Sequence, residues 1–248
     1  MDEREFLDKM AETYRTFTSP ISRWSIDSYM RVYKENLKLQ PGNRALELGG
    51  GDGYSTECLS ELVDWLDVVD GSRRMLEKMG VERFQKRNVT FIYSLFEELN
   101  YQEEYDNVFC SYVLEHVKEP MEILNVAYRA LKPGGRLFIT VPNATALSRQ
   151  MALDMKLLND LYELTKNDAL HGHRRVFDLD RLLALLEQSP FIVCKSGGTF
   201  VKEFADFQLD QMIEQKIIGE EQLYGMQKLA KRYPNLSGSI YAVCEKTE

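Results

Sequence analysis

The stretch Arg44 to Gly53, R-A-L-E-L-G-G-G-D-G, decides the fold. A short apolar run (Ala45, Leu46, Leu48) meets Gly49, Gly50 and Gly51, then Asp52 and Gly53, and then a run able to form a helix. The pattern predicts strand, tight turn and helix. Glycines suit such a turn because φ is positive there and because a ligand approaching the backbone would otherwise meet a Cβ. A ligand site at this turn is the first expectation.

Working outward, short apolar runs alternate with helical ones, as expected of a parallel sheet covered on both faces. Strands are predicted at 44–48, 65–70, 89–94, 105–111, 136–141, 191–196 and 239–246. Helices are predicted at 55–63, 72–80, 121–131 and 178–187, with a short turn at 97–99 and a Pro-Gly turn at Lys132-Pro133-Gly134-Gly135. Two helices precede the first strand. One spans 3–17 with Phe6, Leu7, Met10, Tyr14 and Phe17 on a face, and the other spans 23–37 with Trp24, Tyr29, Val32, Tyr33 and Leu37. A helical insertion over 146–166 follows the fifth strand, and a second precedes the last. No repeat or linker divides the chain. The expectation is one domain over 1–248, with a helical cap at 1–40, a ligand-binding core at 41–143 and helical insertions at 144–170 and 205–235.

Composition bounds the function. The chain has 248 residues, 44% hydrophobic and 28% charged, with a net charge of -8, an isoelectric point near 5.1 and mean hydropathy -0.37. That is ordinary for a soluble globular protein. It supplies no electrostatic footprint for a phosphate backbone, so nucleic acid is not expected as a partner. Cys58, Cys110, Cys194 and Cys244 are widely separated and form no C-x-x-C pair, which argues against metal clusters and disulfide scaffolds. No stretch resembles a signal peptide or reaches bilayer-spanning length, so a cytoplasmic protein without a membrane partner is expected.

An open parallel sheet binds ligands at the carboxyl ends of its strands, where the strand order reverses. Asp70, about twenty residues beyond the turn, ends the second strand, and a carboxylate there can accept hydrogen bonds from both hydroxyls of a ribose. Dinucleotide enzymes space their glycines G-x-G-x-x-G so that a helix N-terminus receives pyrophosphate. Here the order is Glu47-x-Gly49-x-Gly51-x-Gly53, and Tyr54 stands where close approach would be needed.

Glu47-Leu-Gly49-Gly-Gly51-Asp-Gly53 resembles the first motif of the class I S-adenosylmethionine-dependent methyltransferases. The resemblance continues through Asp70, Asp106 to Val117, Leu131 to Leu137 and Gly172-His173-Arg174, covering about residues 40 to 195. It implies a Rossmann-like α/β three-layer sandwich with a seven-stranded, mostly parallel sheet of order 3-2-1-4-5-7-6. The last strand is antiparallel, and N-terminal helices and helical lid insertions surround the sheet. It also implies S-adenosylmethionine as cofactor. By matching position, Glu47 belongs to the motif and the Gly49, Gly50 and Gly51 backbone faces the methionine part. Asp70 holds the ribose, and Gly71 and Met75 line the adenine pocket. Ser94, Leu95 and Phe96 reach the adenine edge, although many relatives carry Asp where Ser94 stands. Ser111 and Tyr112 supply backbone near the amino-acid end.

Methyl transfer from a sulfonium is a direct displacement that needs alignment rather than a metal or covalent intermediate. A hydroxyl acceptor benefits from a general base, and histidine suits that task near neutral pH. The chain has three histidines. His171 and His173 flank one glycine after the first insertion and are the candidate bases. Glu115-His116 reads as helix surface or local hydrogen bonding. Asn143, Arg174 and Tyr14 are candidate acceptor contacts, with Trp24 and Tyr29 as further lid aromatics. The expected reaction is methylation of a hydroxyl or amine on a small polar metabolite, a sugar or natural-product intermediate, with oxygen preferred. Methylation of a peptide or protein amine, a non-catalytic cofactor-binding module and an NAD-dependent oxidoreductase remain as alternatives. The apolar insertions suit a homodimer contact.

Overall fold

The computed structural model describes residues 2–12, 19–84 and 87–247. In chain order the elements are α1 (Glu3–Ala11), α2 (Pro20–Asn36), β1 (Arg44–Leu48), α3 (Tyr54–Ser60), β2 (Trp65–Asp70), α4 (Arg73–Met79) and β3 (Val89–Tyr93). They continue as β4 (Tyr105–Ser111), α5 (Pro120–Ala130), β5 (Leu131–Pro142), α6 (Leu147–Asp154), α7 (Lys166–Leu170), α8 (Leu179–Glu187), β6 (Phe191–Gly198), α9 (Asp206–Glu214), α10 (Glu220–Arg232) and β7 (Ser239–Lys246). Tyr14 and Phe17 lie outside the described residues.

The seven strands form one sheet of order β3-β2-β1-β4-β5-β7-β6. The pairs from β3 through β5 are parallel, whereas β7 runs antiparallel to both β5 and β6. This is the Rossmann-like methyltransferase arrangement anticipated from the sequence. β1 is central because Ala45, Leu46 and Leu48 are apolar on both faces, and all three are fully buried. Its entry is pinned by carboxylates: Asp64 accepts from the Gly42 amide at 2.7 Å and Asp106 from the Arg44 amide at 2.9 Å. The strand order reverses between β1 and β4, so the crevice opens at their carboxyl ends.

Each sheet face has its own core. Leu46, Leu48, Val108, Ile139 and Ile240 pack under α5 and α8. On the other face Ala45, Val68, Phe109, Phe138 and Val243 pack under α2, α3 and α4. Tyr33 of α2 stacks on Phe109, with centroids 5.6 Å apart, and its hydroxyl lies 2.7 Å from Thr140 Oγ1 and 2.8 Å from Ser111 Oγ. α2 is therefore part of the core. Tyr29 is buried in it, and Trp24 packs edge-on against Tyr224 of α10 at 5.0 Å.

Two element predictions need correction. The insertion predicted as one helix over 146–166 breaks after α6, where Lys156 adopts φ 60. Side chains take over the backbone groups there: Arg149 donates to the carbonyls of Leu161 and Glu163, Asp160 accepts from the Tyr162 amide, and Thr165 caps α7. Such local bonds compete with a helical ladder. The Pro-Gly turn before the fifth strand is instead a bulge inside a longer β5. Leu131 pairs with Tyr105 and Arg136 with Asn107, and the residues between them loop out. Among the described residues no helix is long and apolar enough to cross a membrane.

Candidate active site

The glycine turn sits at the carboxyl end of β1, as predicted. The Gly49 amide donates to the Val69 carbonyl at 2.8 Å, which ties the turn to the end of β2. A Cβ at Gly50 would come within 2.6 to 2.9 Å of Met79, Thr56 and Val68, so this glycine allows the helix layer to close on the sheet. Gly51 differs. Its φ is +53 and a Cβ there would meet nothing within 4 Å among the described residues, which leaves space against the turn for a ligand. A Cβ at Gly49 would stand 3.2 Å from Val113 and 3.7 Å from Phe96, placing the segment after β4 and the segment after β3 on either side.

Glu47, on β1 beneath the turn, is buried, and its two carboxylate oxygens accept from Ser55 and Thr56 hydroxyls at 2.6 Å each. Burial pushes its carboxyl up to about 7 against the lowering effect of those donors. It orders the first turn of α3. Asp70 ends β2, accepts from the Ser72 amide at 2.8 Å, and is also pushed up to about 7, chiefly by burial and further by Asp8. A carboxylate so placed gains from ribose hydroxyls that donate to it. The open space at Gly51 and this acid, together, fit an adenosine-bearing ligand.

α1 lies across the crevice. Leu7 packs where a Gly71 side chain would stand, 2.6 Å from its ideal Cβ, and Leu95 closes the same spot at 2.9 Å. Asp8 accepts from Ser72 Oγ at 2.6 Å, and Arg4 pairs with Glu98. At the other end Glu3 pairs with Arg174 at 2.8 Å and with Lys118 at 2.6 Å. Thus α1 spans from the predicted adenine side to the predicted acceptor side. Ser94 lies beside Gly71, with its hydroxyl donating to the Leu95 carbonyl at 2.9 Å, and Met75 is buried behind Ser72. Ser111 turns its hydroxyl toward Tyr33. Tyr112 adopts φ 56 and sends its side chain away, its hydroxyl 2.7 Å from Ser239 and 3.1 Å from Ser25.

The acceptor end holds a cluster that the sequence reading dispersed. Glu115 and His116 stand on the turn after β4 rather than on a helix surface, and Glu115 is 0% exposed. Among the described residues neither Glu115 oxygen has a hydrogen-bond partner. Burial raises its carboxyl to about 7, with His173 and Arg175 acting in the opposite sense. The His116 and His173 rings meet edge to face at 4.7 Å. Burial, with His173 beside it, lowers His116 to about 3. Asp168 Oδ1 lies 3.2 Å from His173 Nδ1, outside hydrogen-bonding alignment. Burial works to raise Asp168, but His173 and Thr165 outweigh it and hold the acid well below the usual carboxylate range.

The structure separates the two candidate bases. His173 joins this cluster, whereas His171 caps α7 on the exposed side with Nδ1 2.8 Å from the Asn167 carbonyl. Arg174 braces the site: it donates to the His116 carbonyl at 2.6 Å and to Glu3. Asn143 is fully occupied as a brace, donating to the Asn235 and Ser237 carbonyls and accepting from Thr145. Asp168 was missed by the sequence reading. Its signal is Thr165-x-x-Asp168, a capping box that carries the acid to the histidine.

A seven-stranded sheet with antiparallel β7, a glycine turn after β1 and an acid ending β2 together define a Rossmann-like methyltransferase domain. The family model described as a methyltransferase domain matches residues 22–194, and the chain belongs to that family, whose cofactor is S-adenosylmethionine. A ubiquinone biosynthesis O-methyltransferase of Hydrogenovibrio crunogenus is 26% identical over 174 residues, covering 68% of this chain and 67% of that protein. A ubiquinone/menaquinone biosynthesis C-methyltransferase of Vibrio campbellii is 32% identical over 142 residues, covering 52% and 54%. The chain thus spans about half to two thirds of the curated relatives it matches. The Haemonchus contortus phosphoethanolamine N-methyltransferase 2, solved with S-adenosyl-L-methionine, shares the fold at TM-score 0.63 and 18% identity. That match covers 100% of this chain and 60% of the other.

Proposed function

We propose that this protein transfers the methyl group of S-adenosylmethionine to a hydroxyl of a small metabolite, with the acceptor seated between the turn after β4 and the His171–Arg174 loop. The observation that carries the reading is the Glu115, His116 and His173 cluster, two residues beyond Val113, which itself abuts the glycine turn. An amine needs only to arrive unprotonated, whereas a hydroxyl must lose a proton as it attacks, and this cluster is the equipment for that loss. Gly49 to Gly51 pass the methionine part, Asp70 takes the ribose hydroxyls, and Leu7, Gly71 and Leu95 bound the adenine side. Bound there, the cofactor would supply the methyl group from its sulfonium. The chain's own contribution is alignment and exclusion of water beneath α1.

The O-methyltransferase relative in ubiquinone biosynthesis makes a phenolic hydroxyl a natural first acceptor to try, ahead of sugars. The test is methyl transfer from labelled cofactor to a panel of catechols, monophenols, sugars and amines, in wild type and in His171→Ala and His173→Ala. The expected outcome is turnover on a hydroxyl compound, lowered roughly 10²- to 10⁴-fold by His173→Ala and within a few-fold of wild type in His171→Ala. Turnover confined to amines, or His173→Ala at wild-type rate, overturns the reading.

A further inference from the structure

We infer that Glu115, His116 and His173 form a binding site for one divalent transition-metal cation, of the kind that accepts imidazole nitrogen and carboxylate oxygen together. One ligand atom from each of the three lies within 4.8 Å of the other two, a separation that a single ion can span. Glu115 is 0% exposed, and among the described residues neither of its oxygens meets a hydrogen-bond donor, the condition in which a buried carboxylate gains most from a cation.

The surroundings point the same way. A metal-bound histidine characteristically directs its other ring nitrogen to a carboxylate or a backbone carbonyl, which fixes the ring and its tautomer. Here Asp168 Oδ1 lies 3.2 Å from His173 Nδ1, and Asp168 is itself held by Arg149 at 3.1 Å and by Thr165 at 2.7 Å. One His116 ring nitrogen is bonded to the Gly172 backbone. Asp168 and the Gly172 backbone thus stand beside the two rings as groups of the kind that orient metal-bound imidazoles. Two imidazoles and a carboxylate favour zinc-like ions over magnesium or calcium, which prefer oxygen alone. Three protein ligands leave at least one coordination position for solvent or for an acceptor oxygen. Its use on an acceptor rests on the O-methylation proposed above, whereas the site itself does not.

The experiment needs no acceptor. The chelator-treated protein is titrated with zinc chloride by calorimetry and with cobalt chloride by visible absorption. The expected result is one equivalent bound, with ligand-field bands for cobalt, and an affinity at least about 100-fold weaker in Glu115→Gln and His173→Ala. The positioning residue Asp168 is tested as Asp168→Asn, expected to weaken the ion about 10- to 100-fold and shift the cobalt spectrum. Retained binding of S-adenosylhomocysteine in each variant shows that it is folded. Absence of stoichiometric metal in wild type, or unchanged affinity in folded Glu115→Gln and His173→Ala, overturns the assignment. Metal binding without turnover on any hydroxyl compound would sink only the proposed reaction.

Discussion

Gly51→Ala isolates the cofactor cradle from the stability of the fold. At φ +53 an alanine pays the left-handed penalty, about 1–2 kcal/mol, but its methyl meets no atom of the described residues within 4 Å. Gly42, in the turn before β1, has the same properties at φ +77, also with nothing within 4 Å. The two substitutions should therefore destabilise the free protein alike. For a chain of this size that is a fall in Tm of about 2–8 °C. They differ in what fills the open space. If the methionine part of the cofactor runs along Gly51, the added methyl overpacks that contact at a cost of about 1–3 kcal/mol, or roughly 5- to 150-fold in Kd. Scanning calorimetry without ligand and titration with S-adenosylhomocysteine measure the two effects separately. Wild-type affinity in folded Gly51→Ala refutes the placement of the cofactor. An equal loss in Gly42→Ala refutes the claim that the effect is local.

If Asp70 takes the ribose hydroxyls as proposed, Asp70→Asn removes their charged partner, with an expected loss of about 1.5–3 kcal/mol per hydrogen bond in cofactor binding, read by titration. Because the folded Asp70 carboxyl is raised to about 7, its contribution to stability is full below its unfolded value near 4 and is lost as pH rises to about 7. Hence Asp70→Asn should raise the Tm of the free protein at pH 8 relative to wild type and change it little at pH 4; a loss of Tm at pH 8 refutes this. Ribose hydroxyls favour the ionised form, so binding near pH 7 should release a proton, seen as a dependence of the calorimetric enthalpy on buffer that Asp70→Asn abolishes. Thr56→Val leaves one Glu47 oxygen without its 2.6 Å donor and should cost about 1–3 kcal/mol in urea unfolding. An unchanged midpoint would mean that the buried carboxyl is satisfied without Thr56.

The sheet was legible because its strands are short apolar runs between turn signals, and β1, β2 and β4 begin and end where the pattern placed them. The glycine turn and the acid that ends the next strand were equally legible in position, since both lie within one βαβ unit. What escaped was set by contacts distant in sequence. Glu115 and His116 look like a polar helix start until the loop carrying His173 folds over them from 57 residues further on. Asp168 reaches His173 only because the first insertion breaks into two helices. Tyr29 and Trp24 show the converse: their helical spacing fits a lid as well as a core, and only tertiary packing places Tyr29 in the cluster of Phe109 and Phe138 and Trp24 against that of Phe200 and Leu223. The role of α1 was half legible. Its apolar face was visible, but not that Glu3, Arg4 and Asp8 would tie it to both ends of the crevice.

The central claim is that the crevice at the carboxyl ends of β1, β2 and β4 is built for S-adenosylmethionine. Calorimetric titration of the full chain with S-adenosylhomocysteine, alongside NAD, tests it most directly. The account predicts one equivalent of S-adenosylhomocysteine bound, with no heat from NAD. Saturable binding of NAD with none of S-adenosylhomocysteine would contradict it.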